Sequence, residues 1–190
     1  MSVAGFAALL ILSLGVAAYA AAVYGFLPPG ALVHPDMRAV FEAHPVGIYA
    51  HVFGAAVALV LGPFQFWSRL RNRRLQLHRW LGRLYLGVGV LIGGISGLFM
   101  AMHAFGGPTA RAGFACLALA WLYTGYRAYI AIRARDTIAH RRWMVRNFAL
   151  KWLDLDNLDD AEPDPNLFPT FNDQLRQDLG TELESFMASI

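Results

Sequence analysis

Acids and lysines are scarce in this chain. The first 150 of its 190 residues hold three acids, Asp36, Glu42 and Asp136, and no lysine, and charged types make up 15% of the whole. A soluble domain carries about 25% charged residues, so there is too little charge here to hydrate a surface. A bilayer asks for far less. The single cysteine, Cys116, excludes an intrachain disulfide framework and a cysteine-based zinc site. The first 150 residues also lack a Gly-x-Ser-x-Gly word, a Walker-type loop and paired carboxylates, which excludes the hydrolase and kinase constellations that need them. No reaction is assigned.

What is present is apolar: 57% of the residues, with a mean hydropathy of +0.42. Four stretches, 3–27, 46–68, 84–105 and 112–132, contain no Asp, Glu or Lys. Each is long enough for a hydrocarbon layer of about 30 Å, which takes roughly 20 helical residues. The only arginine inside them is Arg127, placed one turn from an end, where it can snorkel to the headgroups. The first stretch is too long for a cleaved signal peptide and no Lys or Arg precedes it, so it reads as a spanning helix. The expected fold is all-α: a polytopic transmembrane bundle of four spanning helices, an interfacial segment near 137–150 and a polar C-terminal tail. Gly93 and Gly97, with Gly94 and Ser96 beside them, form a small-xxx-small face that lets helices approach closely in lipid.

The overall charge of +3 hides two parts of opposite sign. Residues 1–150 set fourteen arginines against three acids, a net +11, whereas residues 151–190 set Lys151 and Arg176 against ten acids, a net −8. The boundary defines a membrane domain, 1–150, and an acidic tail, 151–190. In the tail Leu175, Leu179, Leu183, Phe186 and Met187 recur at helical spacing, which predicts a short amphipathic helix near 173–189.

Arginine placement predicts orientation. One link holds Arg69, Arg71, Arg73, Arg74, Arg79 and Arg83, and the segment after the fourth stretch holds Arg133, Arg135, Arg141, Arg142 and Arg146; the opposite links hold only Arg38 and Arg111. By the positive-inside rule both rich segments face the cytoplasm, which puts both termini there and the chain in a bacterial inner membrane. Trp67, Trp80, Trp143 and Trp152 fall near that inner interface, where indoles belong. Anionic lipid attracts each such charge by about 1 kcal/mol. Arg69, Arg71, Arg73, Arg74, Arg79 and Arg83, with Arg141, Arg142 and Arg146, therefore read as a lipid or phosphate surface. Nucleic-acid binding needs a soluble basic face with stacking aromatics and is not expected. The partners expected are membrane lipid and, beyond it, a second copy or a protein partner.

Histidines are the remaining chemistry, because they titrate near neutrality and ligate haem iron. His51 and His103 lie at the outer ends of their helices, His78 and His140 at the inner ends. Two pairs at two depths match the ligand plan of a di-haem b-type cytochrome, and haem b is the candidate cofactor. His78 and His103 are 25 residues apart, about 37 Å of helix at 1.5 Å per residue, which exceeds the hydrocarbon core. The outer pair, both inside apolar runs, is the better candidate. The alternative is a non-enzymatic membrane protein binding anionic lipid or a protein through its arginines. Gln65 is expected to hydrogen-bond Ser96, Thr124 or a water, and Tyr49, Tyr85, Tyr123 and Tyr126 to join interfacial belts.

The words Gly62-Pro63-Phe64-Gln65-Phe66, His78-Arg79-Trp80-Leu81-Gly82-Arg83-Leu84-Tyr85, Gly93-Gly94, Gly106-Gly107 and His140-Arg141-Arg142-Trp143-Met144-Val145-Arg146-Asn147 resemble an uncharacterised bacterial family of predicted membrane proteins, domain of unknown function 2306. The resemblance covers about residues 45–150 and implies a polytopic membrane protein, without a transferable activity. It also implies a further apolar helix after the last word, where this chain instead turns acidic. The tail is similar to a fragment of a second uncharacterised family, large secreted bacterial proteins with cytochrome-c-like domains. The junction reads as a fusion or chimera of the two, and no Cys-x-x-Cys-His word is present to carry haem attachment.

Overall fold

The computed structural model describes residues 3–150. The predicted helix near 173–189, and Trp152, lie outside the described residues. Among the described residues the secondary structure is helical throughout.

Helix α1 (Val3–Phe26) is apolar on all sides. It packs on α3 through the buried Ser13 and Ala17 and leaves Ile11, Leu12 and Tyr19 exposed, as a helix does when lipid is its solvent. The short α2 (Pro35–Ala43) starts at His34, whose Nδ1 accepts the Asp36 amide at 3.3 Å, with Pro35 in the first turn, a position that suits its missing N–H. A second His-Pro step, His44-Pro45, opens α3 (Pro45–Phe66).

At the far end of α3 the chain turns through α4 (Ser68–Arg73) into α5 (Leu75–Leu84), a wider π-helical segment (Tyr85–Ile92) and α6 (Gly93–Met102). The last three form one unbroken helix, Leu75–Met102. It begins nine residues before the third stretch expected from hydropathy. Gly106 and Gly107, both at positive φ, make the turn into α7 (Gly107–Arg133), a conformation that glycine adopts without steric penalty. A tight turn with Arg135 at φ 63° leads to α8 (Thr137–Leu150), whose first turn is capped by Asp136 Oδ1 accepting from the Ala139 amide at 2.9 Å.

Among the described residues three helices are both long and apolar enough to cross a membrane: Gly5–Phe26, Pro45–Phe66 and Leu75–Met102. The fourth expected span is the 27-residue α7, about 40 Å long at 1.5 Å per residue. It falls outside that set, its apolar run diluted by Tyr123, Thr124, Tyr126, Arg127 and Tyr129.

The centre of the bundle is α3 against the Leu75–Met102 helix, and the small-residue face read from the sequence lies in it. A Cβ on Gly54 would come within 2.7 Å of Gly93 Cα, and one on Gly89 within 2.9 Å of Ala58 Cβ, so these backbones touch directly. Ala58, Tyr85, Val90, Trp121, Ala128, Met144 and Phe148 form the buried core. The segment expected at the interface is α8. It runs antiparallel to α7, with His140 paired to Ala128 and Asn147 paired to Trp121 and Thr124, and it buries Met144, Asn147 and Phe148.

Candidate functional site

The bundle has two chemically distinct ends. At the arginine end α3 gives way to α4 and α5, and α7 to α8; at the opposite end α2 meets α3, α6 and α7. A cavity of about 230 Å³ lies at that opposite end, walled by Met37 and Phe41 of α2, His51 of α3, Gly97 and Met100 of α6, His103, and Phe114 and Trp121 of α7. Its lining is apolar apart from the two imidazoles and the indole. The outer histidines expected from the sequence therefore share one cavity.

Each of the two is oriented by the main chain. His51 Nδ1 lies 2.8 Å from the Gly93 carbonyl and His103 Nδ1 lies 3.0 Å from the Phe99 carbonyl. A carbonyl only accepts, so each Nδ1 carries the proton and Nε2 is the basic nitrogen. A carbonyl holding one ring nitrogen fixes the orientation of each imidazole. The His51 ring fits because residue 97 is glycine: a Cβ there would sit 2.6 Å from His51 Nδ1. His44, not selected from the sequence, places its ring 4.2 Å from that of His103, with Phe99 edge-on to it at 5.4 Å. Among the described residues no group of three or more His, Cys, Asp and Glu is arranged to hold a metal ion.

His78 and His140 come together at the arginine end, where His78 feels the charges of Arg71, Arg79 and His140. His140 Nδ1 donates to the Ala128 carbonyl at 2.8 Å, and His78 Nδ1 is buried with no hydrogen-bond partner among the described residues. The structure brings each expected pair together and keeps the two pairs at opposite ends. Arg69, Arg73 and Arg74 are exposed around α4, Arg79 and Arg83 lie on α5, and Arg141, Arg142 and Arg146 lie on α8. Several stack on aromatics: Arg83 stands 4.9 Å from the Trp80 ring, and Arg127 and Arg146 stand 4.6 and 4.7 Å from the Trp143 ring. Such pairs hold guanidiniums at a fixed level in an interface.

Two expectations about polar residues change. Tyr85 is not in an interfacial belt; it is fully buried, and its hydroxyl donates to Asn147 Oδ1 at 2.8 Å. Asn147 Nδ2 in turn donates to the Trp121 carbonyl at 2.7 Å and to Thr124 Oγ1 at 2.8 Å, closing a network across three helical segments. Gln65 reaches neither Ser96 nor Thr124. Ser96 Oγ bonds the Ile92 carbonyl at 2.6 Å, Thr124 belongs to the Asn147 network, and the Gln65 amide lies over Gly82.

Comparison with known families supports the membrane reading. The family described as "Predicted membrane protein (DUF2306)" matches residues 48–152, and the family described as "Protein of unknown function (DUF1592)" matches residues 135–190. No curated protein and no solved structure matches the chain. The first match spans more than half of the sequence and contains α5 through α8 with nearly all of α3, and on that ground the chain belongs to the DUF2306 family of predicted membrane proteins.

Proposed function

We propose that this is a four-crossing protein of the bacterial inner membrane, arginine end in the cytoplasm, that holds haem b between His51 and His103. The orientation follows from the positive-inside rule. The observation that carries the haem reading is one apolar cavity lined by two histidines, each with Nδ1 tied to a main-chain carbonyl. Apolar walls and paired imidazoles are what a b-type haem uses, and its chemistry is the exchange of single electrons at iron.

Size decides how a porphyrin enters. The cavity is smaller than the roughly 300–1,000 Å³ of most ligand pockets, so one wall must move. That wall is α2, which buries none of its residues. His78 and His140 receive no haem in this reading, because neighbouring guanidiniums suit an anion better than a ferric ion.

The test is the absorption spectrum of the purified full-length protein after expression with added haem. A Soret band that shifts on dithionite reduction and disappears in His51→Ala is expected. A colourless wild type, or pigment indifferent to His51→Ala, removes the reading.

A second reading concerns the other end of the molecule, where the guanidiniums of Arg83, Arg127 and Arg146 are stacked on tryptophans. This arginine surface attracts anionic lipid, and retention of phosphatidylglycerol through purification is the expected sign.

A further inference from the structure

We propose that Gln65 and His78 form a binding site for a phosphate group at the arginine end of the bundle, formed by α3 and α5. The proposal deepens the lipid reading of that end and rests on it for the source of one of its two ligands.

Gln65 is the starting observation. It stands at the last turn of α3 and is 8% exposed, yet its Nε2 is buried with no hydrogen-bond partner among the described residues. A buried amide left unpaired bears the full loss of its hydration, so the position calls for an acceptor. The amide oxygen lies over bare backbone, 3.1 Å from where a Cβ on Gly82 would stand. His78 is four residues before Gly82, hence on the same face of α5, and its Nδ1 is likewise buried without a hydrogen-bond partner among the described residues. Two unmatched groups thus occupy one face of one short helix and the end of its neighbour.

Among the described residues the charge that acts on His78 has one sign. Arg71, Arg79 and His140 all act electrostatically on His78. His140 is held by its bond to Ala128. The acid near in sequence, Asp136, uses Oδ1 to cap α8. An amide NH₂, the Nδ1–H tautomer of His78 and guanidiniums are donors, and the ligand that fits is anionic and rich in acceptor oxygens. A water molecule would satisfy Gln65 and leave the positive charge unanswered. The level is right for a headgroup, because Trp80 of the same helix is 55% exposed and carries Arg83 on its face. A lipid phosphate and free inorganic phosphate offer the same chemistry.

The experiment uses the full-length protein in dodecyl maltoside micelles, which carry no phosphate, with thermal unfolding followed by tryptophan fluorescence. One arm adds inorganic phosphate; the other adds phosphatidylglycerol. A rise in unfolding temperature is expected in at least one arm, with phosphatidylglycerol alone naming a lipid phosphate and the phosphate arm naming the free ion. Gln65→Leu keeps every arginine and fills the same space without an unpaired amide. It is expected to fold and to lose about tenfold or more in affinity for the active probe, the loss of one charge-assisted hydrogen bond. Gln65→Glu, nearly the same size, should abolish the response by placing an acceptor where a donor is needed. No response from the wild type in either arm overturns the site. A response that both variants retain in full also overturns it, while leaving general arginine attraction to lipid intact. Should Gln65→Leu fail to fold, Gln65→Glu and His78→Phe decide by the same criterion.

Discussion

Asn147 is the side chain whose removal has the most calculable consequence. Three hydrogen bonds meet on it: the Tyr85 hydroxyl donates to Oδ1, and Nδ2 donates to the Trp121 carbonyl and to Thr124 Oγ1. Asn147→Ala removes all of them. Thr124 keeps its bonds to the Ala120 and Trp121 carbonyls, but the buried Tyr85 hydroxyl loses its acceptor. At about 0.6 kcal/mol per interhelical bond in lipid the three sum to about 2 kcal/mol. The stranded hydroxyl adds about 1–3 kcal/mol, for an expected loss near 4 kcal/mol. Tyr85→Phe takes away one bond and leaves Nδ2 engaged, so its expected cost is only about 1–2 kcal/mol. Because both variants delete the same bond, the double mutant should fall short of their sum by about 1 kcal/mol. The measurement is reversible unfolding of each variant in mixed micelles titrated with denaturing detergent. An Asn147→Ala protein within 1 kcal/mol of wild type, or strict additivity with Tyr85→Phe, would refute the claim that this network docks α8.

Two further substitutions test the geometry elsewhere. Gly97→Ala brings a methyl group to 2.6 Å from His51 Nδ1, so the ring must leave the Gly93 carbonyl; the expected result is the same loss of haem absorption as His51→Ala, with the protein still inserted and monodisperse by size-exclusion chromatography. Arg135 holds a left-handed backbone at φ 63° in the α7–α8 turn, which costs a non-glycine residue about 1–2 kcal/mol. Arg135→Gly should therefore raise stability by roughly 0.5–1 kcal/mol in the same detergent titration, and a destabilised protein would show that the arginine side chain matters more than its backbone.

The sequence made the long helices legible because hydropathy alone defines them: an apolar run has no option but lipid. It failed where the signal was amphipathic. Leu75–Leu84 mixes arginines with Leu77, Trp80, Leu81 and Leu84, so its charge suggested a link and hid a helix continuous with the next span. Met37, Val40, Phe41 and His44 recur at helical spacing between two His-Pro steps, a pattern sufficient to find α2 and hence one wall of the cavity. The pairing of His51 with His103 follows from both lying at the same end of neighbouring helices, which connectivity fixes. The approach of His44 to His103, and the isolation of Gln65 from Thr124, depend on which faces meet. That is set by glycine contacts such as Gly54 against Gly93, whose partners no single-chain pattern names.

The proposed fourth crossing shows why hydropathy alone is an incomplete guide. α7 is the least apolar of the long helices, and in lipid each of its polar groups needs a partner within the protein. α8 supplies them in order along its length. His140 takes the Ala128 carbonyl, Trp143 takes the Arg127 guanidinium on its face, and Asn147 takes the Thr124 hydroxyl and the Trp121 carbonyl. Tyr123 joins from α7 itself, accepting from Arg127 at 2.7 Å. Tyr123, Thr124 and Arg127 of the polar stripe that lowers the hydropathy of α7 therefore receive α8, while Tyr126 and Tyr129 stay exposed. Neither helix is among the long apolar spans, and the two pack as one antiparallel hairpin. The word from His140 to Asn147 is in this light a docking sequence: its histidine, tryptophan and asparagine face α7 at successive turns, while Arg141 and Arg142 stay exposed. Disrupting Asn147 should consequently loosen the hairpin from its open end, away from the α7–α8 turn, with His140 the last contact to be lost.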